Sequence, residues 1–132
     1  MKTKMLKLMM VALGVLLSIH AQAYDAYIDG IYYNLIKKGK VAEVTFKDEI
    51  GNWGCPYRVV IPKSIEYDGI TYSVISIGDY AFFGCSDLIS VTIPNSVISI
   101  GYSAFGRCRG LTYINIPNSV TSIGNGAFAG CI

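Results

Sequence analysis

Past residue 23 the sequence contains no histidine, because the only one, His20, lies in the N-terminal segment. Without an imidazole, the Ser-His-Asp and Cys-His arrangements of nucleophilic catalysis are excluded there, as is every metal site that includes a histidine. Long apolar runs are scarce as well. Beyond the N-terminus no stretch approaches the roughly 20 uninterrupted apolar residues that a spanning helix needs. Charge is sparse at 15% of residues. With Lys2, Lys4 and Lys7 set aside, eight Lys and Arg face nine Asp and Glu, a net charge of about −1. A near-neutral chain without a long Lys/Arg run has no electrostatic footprint for nucleic acid, so no such partner is expected.

The N-terminal segment itself, MKTKMLKLMMVALGVLLSIHAQAY, has three lysines, an apolar run from Leu8 to Ile19 and Ala21-Gln22-Ala23 as a small-residue cleavage site. It reads as a secretory signal peptide over residues 1–23, leaving a mature chain that starts near Tyr24. A lipoprotein needs a cysteine directly after the apolar run, and the first cysteine is Cys55. The mature chain is therefore expected to carry no membrane anchor and to be secreted or surface-exposed. About 109 residues remain of the 132, enough for one small domain.

What is abundant is repetition. Gly78, Gly101 and Gly124 recur with a period of 23, as do Phe82, Phe105 and Phe128, and Cys85, Cys108 and Cys131. Residues 75–97 and 98–120 share 13 identities in 23. A period of roughly 20 to 29 residues marks a coil in which each repeat is one turn stacked on the next. Within one turn, LISVTIP directs Leu88, Val91 and Ile93 inward and Ser90 and Thr92 outward, and Pro94 ends the strand. LTYINIP does the same with Leu111, Ile114 and Ile116 inward and Tyr113 and Asn115 outward. Val97 with Ile100, and Val120 with Ile123, form a second apolar edge closed at the repeated glycine. The AFxxC segment returns a Phe and a Cys beneath the strand as a short helical or 3₁₀ turn. Nothing in a single turn buries its own inner face, so the turns must stack.

Upstream, Val59-Val60-Ile61-Pro62 reads as a strand of the same kind, with Pro62 offset from Pro94 by 32 rather than 23. The insertion contains EYDGITYSV, a hairpin signal at Asp68-Gly69, and YIDGIYYNL repeats that wording at Asp29-Gly30. Residues 24–56 are expected to form a β-hairpin cap over the first turn, and residues 57–132 the coil, its last repeat incomplete at Ile132.

The pattern LxxVxIPxSVxxIGxxAFxxC, preceded by a YDGIxY hairpin and a VVIP strand, resembles the BspA-like leucine-rich repeats of bacterial surface proteins. That resemblance implies a mainly β repeat solenoid, a right-handed leucine-rich-repeat-like coil, in a secreted or surface-displayed binding protein; some members act as adhesins. Ser96 and Ser119 stand where general leucine-rich repeats carry asparagine, so asparagine-ladder rules do not transfer.

Cys85, Cys108 and Cys131 recur with the coil, which predicts a ladder of buried thiols that behave as small apolar residues. A disulfide between neighbours or a metal site is the competing reading, and the spacing is unlike the CxxC of zinc sites. Cys55 stands outside the ladder, either free or paired with one of its members. Phe82, Phe105 and Phe128 are expected to form a stacked core column. Among carboxylates, Asp48 and Glu49 fall in a loop. Asp79 with Asp87 is the one pair that glycoside hydrolysis could use, if held about 5 to 10 Å apart across a cleft. Two solvated surface acids are the more ordinary reading. The glycines follow the coil period rather than a phosphate-loop pattern. No cofactor, metal or enzymatic activity is expected.

The outward positions carry the functional reading. Arg58 and Val60, Ser90 and Thr92, and Tyr113 and Asn115 alternate outward from successive strands and make a polar-aromatic face of the type used for adaptable protein contact. The expected partner is a protein or cell-surface ligand. The alternatives are a structural module that self-associates through its open C-terminal edge, or a carbohydrate-active enzyme.

Overall fold

The structure, a computed structural model, describes residues 24–46 and 54–132. The expected signal peptide and the loop acids Asp48 and Glu49 lie outside the described residues. Nine strands and no helix occur among the described residues. They are β1 (Ala26–Ile28), β2 (Ile31–Ile36), β3 (Val41–Thr45), β4 (Arg58–Val60), β5 (Ser64–Tyr67), β6 (Ile70–Ile77), β7 (Ser90–Thr92), β8 (Ser99–Ile100) and β9 (Ser122–Ile123).

The two Asp-Gly pairs make the tight hairpins. Asp29 and Gly30 have φ of 49° and 85°, and Asp68 and Gly69 have 51° and 73°. Two consecutive left-handed residues are what a two-residue type I′ turn requires, and their twist matches that of the flanking strands. One hairpin pairs β1 with β2, and the other pairs β5 with β6. β3 then adds antiparallel to β2 and parallel to β6. The N-terminal strands therefore lie beside the first turn, in register with its second edge, and continue its sheet. β6 would otherwise present an unpaired edge, and β3 covers it. Tyr33 and Tyr72, each about 1% exposed, fill the interior of this region with Val44 and Val74.

The repeat period appears as backbone pairing on three sides of each turn. On one side β6, β8 and β9 pair in parallel, Ser76 with Ser99 and Ser99 with Ser122. On another, β4 pairs parallel to β7, and Thr92 bridges to Asn115. On the third there is no strand, yet Phe82 N donates to Ala104 O at 2.7 Å and Phe105 N to Ala127 O at 2.8 Å. Every side thus satisfies backbone groups against the next turn, as burial demands.

The AFxxC segment is neither helix nor 3₁₀ turn. Ala81, Phe83 and Cys85 donate three residues back, but Tyr80 and Gly84 have φ of 58° and 75°. The same two positions are left-handed in the later turns, at Ser103 and Arg107 and at Gly126 and Gly130. A left-handed residue at each of those points stops a right-handed helical run from propagating, so separate turns follow one another. The repeated glycine also has another purpose than turn conformation. A Cβ at Gly101 would lie 2.6 Å from Asp79 N, and one at Gly124 would lie 2.5 Å from Tyr102 N. Stacked turns approach too closely there for any side chain.

The phenyl rings stack nearly parallel, Phe82 on Phe105 at 5.3 Å between centroids and Phe105 on Phe128 at 5.4 Å. Beside them run the cysteines, and here the expected ladder of free thiols needs correction. Cys85 is bonded to Cys55, 30 residues away, with Cα atoms 5.6 Å apart. Cys108 and Cys131 stay free, and each Sγ donates to a carbonyl of the preceding turn, Phe82 O and Phe105 O, both at 3.1 Å. Cys85 stands at the start of the ladder, where the segment before β4 brings the sulfur of Cys55 within bonding range.

Candidate binding face

Strands β4 and β7 and the bridge at Asn115 stack the outward residues in two rows. Arg58 is in register with Ser90, and Val60 with Thr92, which bridges in turn to Asn115. Ile61 N donates to Thr92 O at 3.0 Å and locks the register at its end. Inward partners hold the strands down: Val59, Leu88, Val91 and Leu111 are buried. Tyr113 follows them in the next turn and is 75% exposed; Val60 is 69% exposed. Arg58, Thr92 and Asn115 are exposed as well, whereas Ser90 is half-buried between its neighbours. All six residues thus share one side of the stack.

Two further residues belong to this side that alternation alone did not assign. Tyr57 is 66% exposed, and its carbonyl accepts from Ile89 N at 2.8 Å; Ile89 is itself exposed. The same offset that aligns Pro62 with Pro94 also aligns Tyr57 with Ile89, so the signal was present in the spacing. Both lie just ahead of their strands, where the period-two pattern has not begun. With them the face offers two exposed tyrosines, an arginine, two aliphatic side chains and small hydroxyls. It can make apolar contact and hydrogen bonds at once, the mixture found at the centres of protein interfaces.

The carboxylates sort differently. Asp79 Oδ1 accepts from Tyr102 N at 2.7 Å, so this side chain caps the following turn's backbone. Asp87 is exposed. The free thiols are held protonated: burial first, then the neighbouring Cys131, pushes Cys108 up to about 12, and burial raises Cys131 too. A thiol whose pKa burial raises is a poor nucleophile at neutral pH, which fits these cysteines to packing rather than chemistry.

Comparison with known proteins agrees with this architecture. The chain is similar to a leucine-rich repeat protein from Bacteroides ovatus of solved structure, with 42% identity and a TM-score of 0.72 over 82% of this chain and 27% of that one. It is similar also to a leucine rich cell surface protein from Faecalibacterium prausnitzii, with 30% identity, a TM-score of 0.60 and coverage of 80% of this chain and 28% of that one. A leucine-rich repeat protein from Bacteroides capillosus follows at 25% identity, with a TM-score of 0.53, 74% of this chain and 86% of that one. The chain therefore spans little more than a quarter of the length of the first two. No curated protein matches it. The family described as "BspA type Leucine rich repeat region (6 copies)" matches residues 62–132, more than half of the chain, and this protein belongs to that family.

Proposed function

We propose that this protein is a secreted or cell-surface binding protein, non-enzymatic, that engages a protein or cell-surface ligand through the face formed by β4, β7 and the strand position of Asn115. The observation that carries this reading is the in-register stack of exposed side chains over buried partners, with Tyr113 three-quarters exposed among them. The turns wind as a right-handed coil, the hand that parallel crossovers favour. Each turn contributes two short variable slots while the repeated apolar letters hold the core. A rigid backbone under exposed tyrosines lowers the entropy lost on contact, and a well-packed tyrosine contributes about 2 kcal/mol or more at an interface centre. Its surface location is supported by the relative from Faecalibacterium prausnitzii, a cell surface protein, and by the signal-like segment before Tyr24.

The test is a double substitution, Tyr113→Ala with Asn115→Ala, assayed for adhesion to immobilised host matrix proteins and to cell surfaces. Adhesion should fall by about tenfold or more while the melting temperature stays unchanged, since both side chains are exposed and outside the core. Equal adhesion by parent and variant would remove this face from consideration.

A further inference from the structure

On the adjoining side of the stack, away from the binding face, an open groove of about 650 Å³ runs across β2, β3, β6, β8 and β9. One polar residue from each strand aligns along it. Asn34 is in register with Glu43, Glu43 with Ser76, Ser76 with Ser99, and Ser99 with Ser122. Ser76 Oγ donates to Glu43 Oε2 at 3.1 Å and orients that carboxyl group. Gly78, Gly101 and Gly124 line the groove beside this row, together with Ile77 and Ile100. Beyond them stands Tyr102, about half exposed, with its ring packed edge-on against Tyr80 at 5.4 Å. The trough has a line of hydroxyl, amide and carboxyl groups on one wall and a braced aromatic ring on the other.

We propose that this groove binds a neutral oligosaccharide. Among the described residues the groove is lined by Glu43 and Asp79 and by no Lys, Arg or His, a lining that disfavours anions. Its serine and threonine hydroxyls and the Asn34 amide both donate and accept, as the hydroxyls of a sugar do, whereas a cation could use only the acceptors. Successive polar groups are spaced by the strand separation of about 4.8 Å, close to the length of one hexose unit in an extended glycan. An exposed tyrosine ring offers the apolar surface on which the C–H face of a pyranose packs. The volume lies within the range of about 300 to 1,000 Å³ common to small-molecule sites. Asn34, Glu43 and Thr45 come from the N-terminal strands, and Ser99, Tyr102 and Ser122 from the stacked turns.

Calorimetric titration of the purified chain with maltohexaose, cellohexaose, xylohexaose and mannohexaose, and with spermidine as a cationic probe, tests this. At least one hexasaccharide should bind. Tyr102→Ala and Glu43→Gln should each weaken that binding by about tenfold or more, the loss of one aromatic or charge-assisted contact. Tyr113→Ala on the other face should leave it unchanged, which separates this site from the proposed binding face. Ser122→Trp, at an exposed position, should block the groove even if another variant folds poorly. Failure of all four saccharides to bind, binding that survives both Tyr102→Ala and Ser122→Trp, or tighter binding of spermidine would overturn the proposal.

Discussion

Residues 98–109 and residues 121–132 occupy the same place in successive turns and share Ser, Ile, Gly, Ala, Phe and Cys at matching positions, yet the fold treats them differently. Phe105 and Cys108 are wholly buried and Ile100 is 1% exposed, whereas Phe128 and Cys131 are half-buried and Ile123 is 51% exposed. Phe105 lies between two rings; among the described residues Phe128 stacks on Phe105 alone. Identical residues in identical backbone settings thus have unequal burial, because each turn acquires its interior from its neighbours. In a stacked repeat, stability is a sum of terms within turns and terms between them, and the second kind depends on position in the stack. The start of the ladder differs again, since Cys85 is tied covalently to Cys55 rather than resting on a preceding thiol.

The largest effect should come from breaking the phenyl column. Phe105→Ala is expected to cost about 3 to 5 kcal/mol and Phe128→Ala no more than about half of that, because the outer ring has less surface to lose and its site is already partly solvated. Denaturant titration of both variants decides the matter, and equal losses would mean that position in the stack does not govern burial energy. Next in size is the covalent tie at the other end. Cys55→Ser removes a bond closing a loop of 30 residues, for which chain entropy gives roughly 3 to 4 kcal/mol. The melting temperature of this variant under oxidising conditions should match that of the reduced parent.

The smallest effect sharpens the contrast between the two thiols. Cys131 should react with iodoacetamide in the folded protein well before Cys108, whose sulfur is enclosed; mass spectrometry of the labelled peptides reads the order. Their protonation also sets an alkaline limit. Burial holds Cys108 near 12 against an ordinary value of 9.0, and burial, with the charge of Asp29, holds Tyr33 near 12 against 10.0. Above pH 9 the unfolded chain releases protons that the folded chain retains, so unfolding becomes steadily more favourable as pH rises. The stabilisation is complete below pH 9 and is lost progressively as pH rises from 9 towards 12. Melting temperatures across that interval should fall steadily in the parent and less steeply in Cys108→Ala, once that variant's own loss is subtracted.

Much of the architecture is legible in the letters. The regular spacing of Gly, Phe and Cys is enough to align one turn with the next, and the Asp-Gly pairs announce both hairpins, because few sequences accept two left-handed residues in succession. Alternation in SVTIP and YINIP likewise separates Val91 and Ile93 from Thr92, and Ile114 and Ile116 from Tyr113 and Asn115. The left-handed breaks at Tyr80 and Ser103 were not legible, since neither tyrosine nor serine favours that conformation and only the stacked carbonyls of the next turn hold them there. Tyr57 escaped because it precedes the strand whose pattern defined the face.

The sequence by itself determined the period, the inward and outward sides of each strand, and the places where the chain reverses. All three follow from local chemistry: which residues are apolar, which lack a backbone donor, and which tolerate a positive φ. Only the tertiary structure decided that Cys85 pairs with Cys55, that β3 extends the sheet beside β6, and that Phe105 is enclosed while Phe128 is not. It also decided that Asn34 and Glu43 join a row of serines from three later strands. Such outcomes depend on which segments of chain, distant in sequence, come to lie side by side. No single turn encodes its neighbour, so burial, disulfide pairing and lateral register emerge only when the turns are stacked.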